Sequence, residues 1–151
     1  MKKKLLLLIA CLLRIALGIM WTLSGYSWFT GEPEQKLTSA LKLALEGQQI
    51  FPFYAPFLRE VVIPYAGVFS ILVALGEFCT GISLLSGTLT KVGVYVAIFL
   101  LLNYSLMNGS LFSFFNILFI LLHAFIIWGK GARIFSLDNR LKEKWPSAKI
   151  F

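Results

Sequence analysis

Charged residues are scarce in this sequence. Asp, Glu, Lys and Arg make up 14% of the 151 residues, and 58% are hydrophobic. Soluble domains carry about a quarter charged residues, and a chain of this length with so few cannot cover a surface that faces water. The composition excludes an ordinary soluble protein and predicts an integral membrane protein with a single domain over residues 1–151.

Cysteine and histidine are also rare. Cys11 and Cys79 lie inside apolar runs and form no Cys-x-x-Cys motif, which argues against a dithiol redox enzyme. His123 is the one histidine, and a single His with one intramembrane Glu does not supply a metal-ligand set or an axial haem pair. We therefore expect no metal and no haem, and we expect any electrons to come from a partner protein.

The positive charge is concentrated at the ends of apolar runs. The net charge is +7, and ten of the 14 Lys and Arg residues lie in the N-terminus, in the 87–91 loop and in the tail after Trp128. The 30–60 loop carries three. This distribution is typical of membrane orientation rather than of a nucleic-acid surface, and it predicts that both termini are cytoplasmic.

Four apolar runs qualify or nearly qualify as membrane spans. They cover about residues 5–29, 61–85, 92–107 and 111–128, and a span needs about 20 apolar residues. The first residues, MKKKLLLLIAC, resemble a signal peptide with a lipoprotein cleavage box. The apolar run, however, continues without a break to Phe29, so we interpret this segment as an uncleaved first span. The predicted fold is an all-α membrane protein, a four-transmembrane-helix bundle.

The long loop between the first two spans predicts an amphipathic helix. Glu32-Pro33-Glu34 is a typical helix start, and an apolar stripe follows. The stripe consists of Leu37, Ala40, Leu41, Ala44 and Leu45. We expect this helix to lie on the outer membrane surface, and FPFYAPF (51–57) to be irregular because of its two prolines. The loop is either a lid over an opening from the bilayer or a space-filling segment. Residues 136–145 predict a short helix on the inner surface.

Two opposite charges lie within the first two spans. Glu77 and Arg14 each lie roughly 15 Å from the predicted inner end of their span. Each shares a helix face with small residues, where membrane helices approach closely: Gly67, Ser70, Ala74 and Gly81 with Glu77, and Gly18 and Gly25 with Arg14. The spacing predicts an Arg14–Glu77 ion pair near the midplane.

Further polar side chains are predicted to join this pair. His123 and Asn116 share one face of the fourth span, Asn103 and Tyr104 lie on the third, and Trp21 follows Arg14 on the first. The sequence predicts an Arg/Glu/His cluster with an Asn103–Asn116 amide pair above it. Such groups either line a functional cavity or only set helix register, and both interpretations stay open.

Three segments resemble one known family. LRIALGIMWTLSGYSWF (13–29), LGEFCTGISLLSGTLTKVG (75–93) and GKGARIFSLD (129–138) look like the first span, second span and terminal motif of the DoxX/DoxD family. The matching positions are Arg14, Gly18, Gly76, Glu77, Gly81, Gly87, Thr90 and Asp138. Many members have a lysine three residues after the glycine that is Gly25 here, where this chain has Trp28. The family includes DoxD, which is similar to the membrane subunit of thiosulfate:quinone oxidoreductase.

The resemblance implies a quinone-linked oxidoreductase subunit in the cytoplasmic (inner) membrane of a bacterium or archaeon, with sulfur compounds, as for DoxD, as one class of substrate. In this hypothesis Glu77, Arg14 and His123 are catalytic. Trp21, Asn103, Tyr104 and Asn116 bind the quinone. The alternative is a non-catalytic scaffold that recruits or stabilises a partner redox protein. Either role implies contact with lipid and with a protein partner or a second copy, and a transporter is a weaker third reading because the chain is short.

Overall fold

The computed structural model of the chain describes residues 2–47, 50–109, 114–128 and 136–144. Within these ranges the structure is built from helices. They are α1 (Lys2–Phe29), α2 (Pro33–Glu46), the single turn α3 (Ala55–Phe57), a π-helical segment (Leu58–Val62), α4 (Ala66–Ser86), α5 (Thr90–Met107), α6 (Phe114–Trp128) and α7 (Leu137–Lys144).

The long helices have the character of membrane spans. α1, α4 and α5 are long and apolar enough to cross a membrane, and α6 is a shorter apolar helix of 15 residues. Large apolar side chains such as Leu23, Val68 and Phe99 are 59–63% exposed, an arrangement that suits contact with lipid. The predicted all-α bundle of apolar helices is confirmed, and the protein is a multi-pass membrane protein. Following the predicted orientation, we call the end where α1 finishes and α4 begins the outer end, and the opposite end the inner end.

The helix bounds follow the predicted spans with one clear shift. The second span was expected from residue 61, whereas α4 begins at Ala66. Residues 58–62 form the π-helical segment and residues 63–65 a turn that contains Pro64, whose ring removes a backbone donor. The predicted start of the fourth span at 111 lies outside the described residues.

α1 and α4 form the closest pair in the bundle. A Cβ atom at Gly18, Gly25 or Gly81 would lie 2.9 Å from Leu85 N, 2.7 Å from Phe78 Cα and 2.7 Å from Thr22 Cα, respectively. Only glycine leaves room for the opposing backbone, so the predicted small-residue contact between these helices is confirmed at these positions. In each pair the two residue numbers add to 103, which defines the antiparallel register of α1 against α4.

The core has two parts. The inner part joins α1, α4, α5 and α6 through Leu17, Trp21, Leu84, Val94, Ala97, Leu100 and Ile126. The outer part joins α2 to the segment before α4 through Leu37, Leu41, Ala44, Ile50, Leu58, Val62 and Ala66. The polar residues of the candidate site lie within and around these two layers.

The position of α2 differs from the expectation. The helix starts as predicted, with Glu32 at the N-cap and Pro33 in the first turn. Its stripe, however, does not face lipid: Leu37 and Leu41 are 9% and 1% exposed and belong to the outer core. The apolar face is covered by the chain's own residues, since the π-helical segment supplies Leu58 and Val62 as partners.

Candidate functional site

Glu77 lies at the centre of three helices. Its carboxylate is 3% exposed. Trp28 Nε1, from the last turn of α1, donates to Glu77 Oε2 at 3.1 Å. The hydroxyl of Tyr104, from α5, donates to Oε1. Both carboxylate oxygens are therefore held by donors from neighbouring helices, and we call Glu77, Trp28 and Tyr104 the glutamate cluster.

A cation lies above this cluster. Lys36 Nζ lies 5.6 Å from the centre of the Trp28 ring and donates to the carbonyl of Ser27 at 2.8 Å. An ammonium over an indole face is attracted by the ring's negative face. Lys36 is exposed, whereas Trp28 is half-buried, so the indole connects the outer surface to the carboxylate of Glu77.

Asn103 binds the loop that follows α2. Its Oδ1 accepts a hydrogen bond of 2.7 Å from the hydroxyl of Tyr54, and its Nδ2 donates to Phe99 O at 2.7 Å. Burial raises the pKa of Tyr54 above its usual value, which further favours the protonated phenol that donates this hydrogen bond. Asn116, which was predicted to face Asn103, is half-buried on α6, two turns before His123.

Trp21 and His123 form a second polar layer on the inner side of the glutamate cluster. Trp21 Nε1 donates to His123 Nε2 at 2.8 Å, and His123 Nδ1 lies 2.7 Å from Phe119 O. Because Nδ1 faces a carbonyl and Nε2 accepts from an indole, the hydrogen bonds assign a neutral imidazole with its proton on Nδ1. His123 is wholly buried and Trp21 is 3% exposed.

The predicted ion pair between Arg14 and Glu77 is wrong. A Cβ atom at Gly87 would lie 2.7 Å from Arg14 Nη1, so the guanidinium lies beside Gly87. Gly87 follows Glu77 by ten residues in the sequence, a rise of about 15 Å along a helix. The prediction assumes that the inner ends of the two spans lie at the same depth. In the observed register Gly18 packs on Leu85, so the first turns of α1 extend beyond the inner end of α4.

Arg14 instead belongs to a cluster at the inner end. Asp138, from the first turn of α7, accepts hydrogen bonds from Leu89 N at 2.6 Å and Thr90 N at 3.0 Å. Ser136 Oγ donates to Gly87 O at 2.6 Å, and Asp138 N donates to the same carbonyl at 3.0 Å. We call these contacts the inner clasp. They join the tail to the turn between α4 and α5, against the wholly buried Arg14.

The clasp explains an unusual backbone at Leu89. This residue has φ 52°, in the left-handed region that a non-glycine residue rarely adopts. Its amide and that of Thr90 begin α5 and lack partners within that helix. Asp138 fills the role of an N-cap from a distant part of the chain, which stabilises both the strained residue and the helix start.

The seven candidate residues therefore do not line one cavity. The structure brings Glu77 together with Tyr104 and Trp21 together with His123, and it places Arg14 at the inner end. Trp28 was not predicted as a partner of Glu77, although its position at the outer end of a span was a signal. Among the described residues, no group of three His, Cys, Asp or Glu side chains is arranged to hold a metal ion.

The chemistry available is that of proton exchange and hydrogen bonding. A carboxylate held by the hydroxyl of one side chain and the indole N–H of another is a group that can accept and release a proton in general acid–base chemistry. The amide of Asn103 adds a donor of the kind that recognises a carbonyl oxygen. The indole N–H of Trp28 is a donor of the same kind, and it is donated to Glu77. Trp28, Asn103 and Tyr104 are half-buried, so these donors lie between the core and the surface.

The chain was compared with known proteins. The family model described as DoxX matches residues 9–128. The comparisons with curated proteins and with solved structures returned no match. The match includes Arg14, Glu77 and His123, and it runs from the third turn of α1 to the last residue of α6. Because the match covers most of the chain, this membrane protein belongs to the DoxX family.

Proposed function

We propose that the protein is the membrane subunit of a quinone-linked oxidoreductase system in a bacterial or archaeal cytoplasmic membrane. A protein partner delivers the electrons, and reduced sulfur compounds are one class of electron source. One observation carries this proposal: a buried carboxylate, Glu77, is held between the phenol of Tyr104 and the indole of Trp28, each from a different helix. An ionisable group is costly inside a membrane and usually serves a function there.

The residues of the glutamate cluster fit a quinone head group. Such a head group is flat and has two carbonyl oxygens, so it needs aromatic walls and hydrogen-bond donors. Trp28 and Tyr104 would provide the aromatic walls, and Asn103 provides an amide next to Tyr104. The N–H of Trp28 and the O–H of Tyr104 are donated to Glu77, so each would reach a quinone carbonyl only by turning away from the carboxylate. Bound quinone would supply the two-electron chemistry. The chain's own part would be to orient the carbonyls and to accept or release a proton at the carboxylate of Glu77.

The proposal gives the other candidate residues different roles. Both nitrogens of His123 are engaged, by Trp21 and by Phe119 O, so His123 orients the Trp21 ring rather than passing a proton. Arg14 lies at the inner end, where it supports the clasp and takes no part in proton handling. This leaves Glu77 and Tyr104 as the residues that would carry the chemistry.

Quinone binding tests the proposal. The purified protein is titrated with a short-chain quinone, and binding is followed by quenching of tryptophan fluorescence. Glu77→Gln and Tyr104→Phe nearly keep the side-chain size but remove the carboxylate and the phenolic hydroxyl, respectively, and we expect each to weaken binding by about tenfold, the effect of losing one hydrogen bond. Glu46→Gln, at an exposed carboxylate on α2, is the matched control and should bind like the wild type.

The quinone-binding proposal is decided by the binding of the folded variants and by the lipid extract of the wild type. Circular dichroism and gel filtration first establish that each variant is folded. If folded Glu77→Gln and Tyr104→Phe bind quinone as tightly as Glu46→Gln, the proposal is wrong. Mass spectrometry of the lipid extract from wild-type protein adds a second measurement, because a bound quinone that survives purification should be recovered from it.

A second function, as a non-catalytic scaffold, is favoured by a different observation. Both oxygens of Glu77 and both nitrogens of His123 are already bonded within the chain, which suits groups that only set helix register. In that case Glu77→Gln would lower the yield of folded protein, and the folded fraction would bind its partner as the wild type does and would show no quinone binding.

A further inference from the structure

A polar cleft lies at the outer end of the bundle, apart from the glutamate cluster. Its volume is about 860 Å³, within the range of about 300–1,000 Å³ typical of small-molecule sites. The start of α2 forms one side, and the first turns of α4 form the other. The lining residues are Gly31, Glu32, Pro33, Glu34, Gln35, Thr38, Ser39, Lys42, Gly67, Ser70 and Ile71.

The cleft carries charges of both signs. Glu32 and Glu34 lie at its α2 start, and Lys42 lies eight residues after Glu34 on the same helix, a rise of about 12 Å. Glu32 makes no side-chain capping hydrogen bond to α2. Two long side chains of opposite charge at this separation leave room between them for a group that is itself zwitterionic.

The shape of the cleft depends on the opposite helix. A Cβ atom at Gly67 would lie 3.0 Å from Glu34 Oε2, so the carboxylate lies over a position on α4 that has no side chain. Ser70, one turn further in, is wholly buried and donates its hydroxyl to Gly67 O at 2.9 Å. Its oxygen lone pairs remain as acceptors at the floor of the cleft.

The cleft lies where a membrane meets water. It is lined by residues just after the end of α1 and in the first turns of α4. Ile71 lines the cleft and is 53% exposed, and the apolar surface continues along α4 with Leu72 and Leu75 at 56% and 45%. A ligand with a zwitterionic head group in the cleft would therefore have an apolar surface beside it for acyl chains.

We propose that this cleft binds the head group of a phospholipid that carries a primary ammonium next to its phosphate, as phosphatidylethanolamine does. The ammonium donates to the carboxylates of Glu32 and Glu34, and the phosphate accepts from Lys42. Charge-assisted hydrogen bonds of this kind are stronger than neutral ones. A phosphatidylcholine head group has no N–H to donate, and a purely anionic head group meets two carboxylates against a single ammonium.

Competitive retention of lipids tests the assignment. The full-length protein is placed in nanodiscs with equal amounts of phosphatidylethanolamine and phosphatidylcholine, extracted in mild detergent, and the retained lipids are measured by mass spectrometry. We expect the wild type to favour phosphatidylethanolamine by about tenfold. The double variant Glu32→Gln, Glu34→Gln should lose this preference, while Glu46→Gln, an exposed carboxylate on α2 outside the cleft, should keep it.

Lys42→Met tests the phosphate contact separately from the ammonium contact. It should lower the retention of both lipids and leave their ratio unchanged, because both have a phosphate. The proposal is overturned if the wild type retains the two lipids equally, or if Glu46→Gln loses the preference as fully as the double variant. Soluble phosphoethanolamine distinguishes a free ligand from a lipid: thermal protection by it as strong as that by the lipid, with no lipid enrichment, would overturn the lipid assignment.

Discussion

Trp21 and His123 are separated by 102 positions in the sequence and joined by a hydrogen bond of 2.8 Å in the core. Their rings meet edge to face, with centres 6.0 Å apart. The bond ties α1 to α6 and leaves the imidazole with no free nitrogen, because Nδ1 faces Phe119 O. Removing either partner leaves a buried polar atom without its bond.

Trp21→Phe should therefore destabilise the protein. It keeps an aromatic ring but leaves His123 Nε2 unsatisfied, at a cost of about 1–3 kcal/mol. His123→Leu should cost a similar amount, and the double variant less than the two together, because neither polar group then remains. Reversible unfolding in mixed micelles measures these free energies. Trp128→Phe, at a side chain that is 89% exposed, is the control, and an additive double variant would contradict the prediction.

Substitutions at Trp28 test the hydrogen bond from its indole to Glu77. Trp28→Phe keeps a ring beneath Lys36 but removes the donor to Glu77 Oε2, and we expect a loss of about 1.5–3 kcal/mol in unfolding free energy, because the lost hydrogen bond is to a carboxylate. Trp28→Lys places an ammonium within reach of the same carboxylate and should be more stable than Trp28→Phe. The opposite order, with Lys less stable than Phe, would mean that the indole acts through packing alone.

Asp138 should control the stability of the inner end. Asp138→Asn keeps the shape but removes the charge and one acceptor, and hydrogen bonds to charged groups contribute about 1.5–3 kcal/mol each. We expect faster hydrogen exchange at the amides of Leu89 and Thr90, which donate to Asp138. Glu143→Gln, at an exposed carboxylate of α7, removes the same charge elsewhere on that helix and should leave both amides protected. Equal exchange in the two variants would rule out the clasp.

Two glycines of α4 should respond differently to alanine. Gly81→Ala would place a methyl group 2.7 Å from Thr22 Cα, and overpacking of this kind costs about 1–3 kcal/mol. Gly76→Ala would meet no atom closer than 3.6 Å, at Leu100 Cδ1, and should be neutral or slightly stabilising. Both are measured by unfolding in mixed micelles, and an equal loss at the two positions would contradict the observed register of α1 and α4.

Much of the helix pattern could be predicted because its signals are local. The apolar runs predicted α1, α4, α5 and α6 within a few residues where their bounds are described, and the start of α2 followed from Glu32 and Pro33. The burial of Glu77 and His123 followed from the cost of exposing polar groups to lipid. The π-helical segment and the turn that delays α4 to Ala66 had no comparable signal.

The sequence alone was sufficient to establish a membrane bundle, since hydropathy along a segment decides whether that segment can lie in lipid. The partners of the buried polar groups required the tertiary structure. Counted from the ends of their predicted spans, Arg14 and Glu77 were expected at the same depth in the membrane. They lie apart because α1 extends past α4 at the inner end. Glu77 is instead bonded by residues 49 and 27 positions away. Hydrogen bonds across a bundle depend on how far each helix is shifted along its neighbour. Close packing at a few glycines decides that shift, and hydropathy does not encode it.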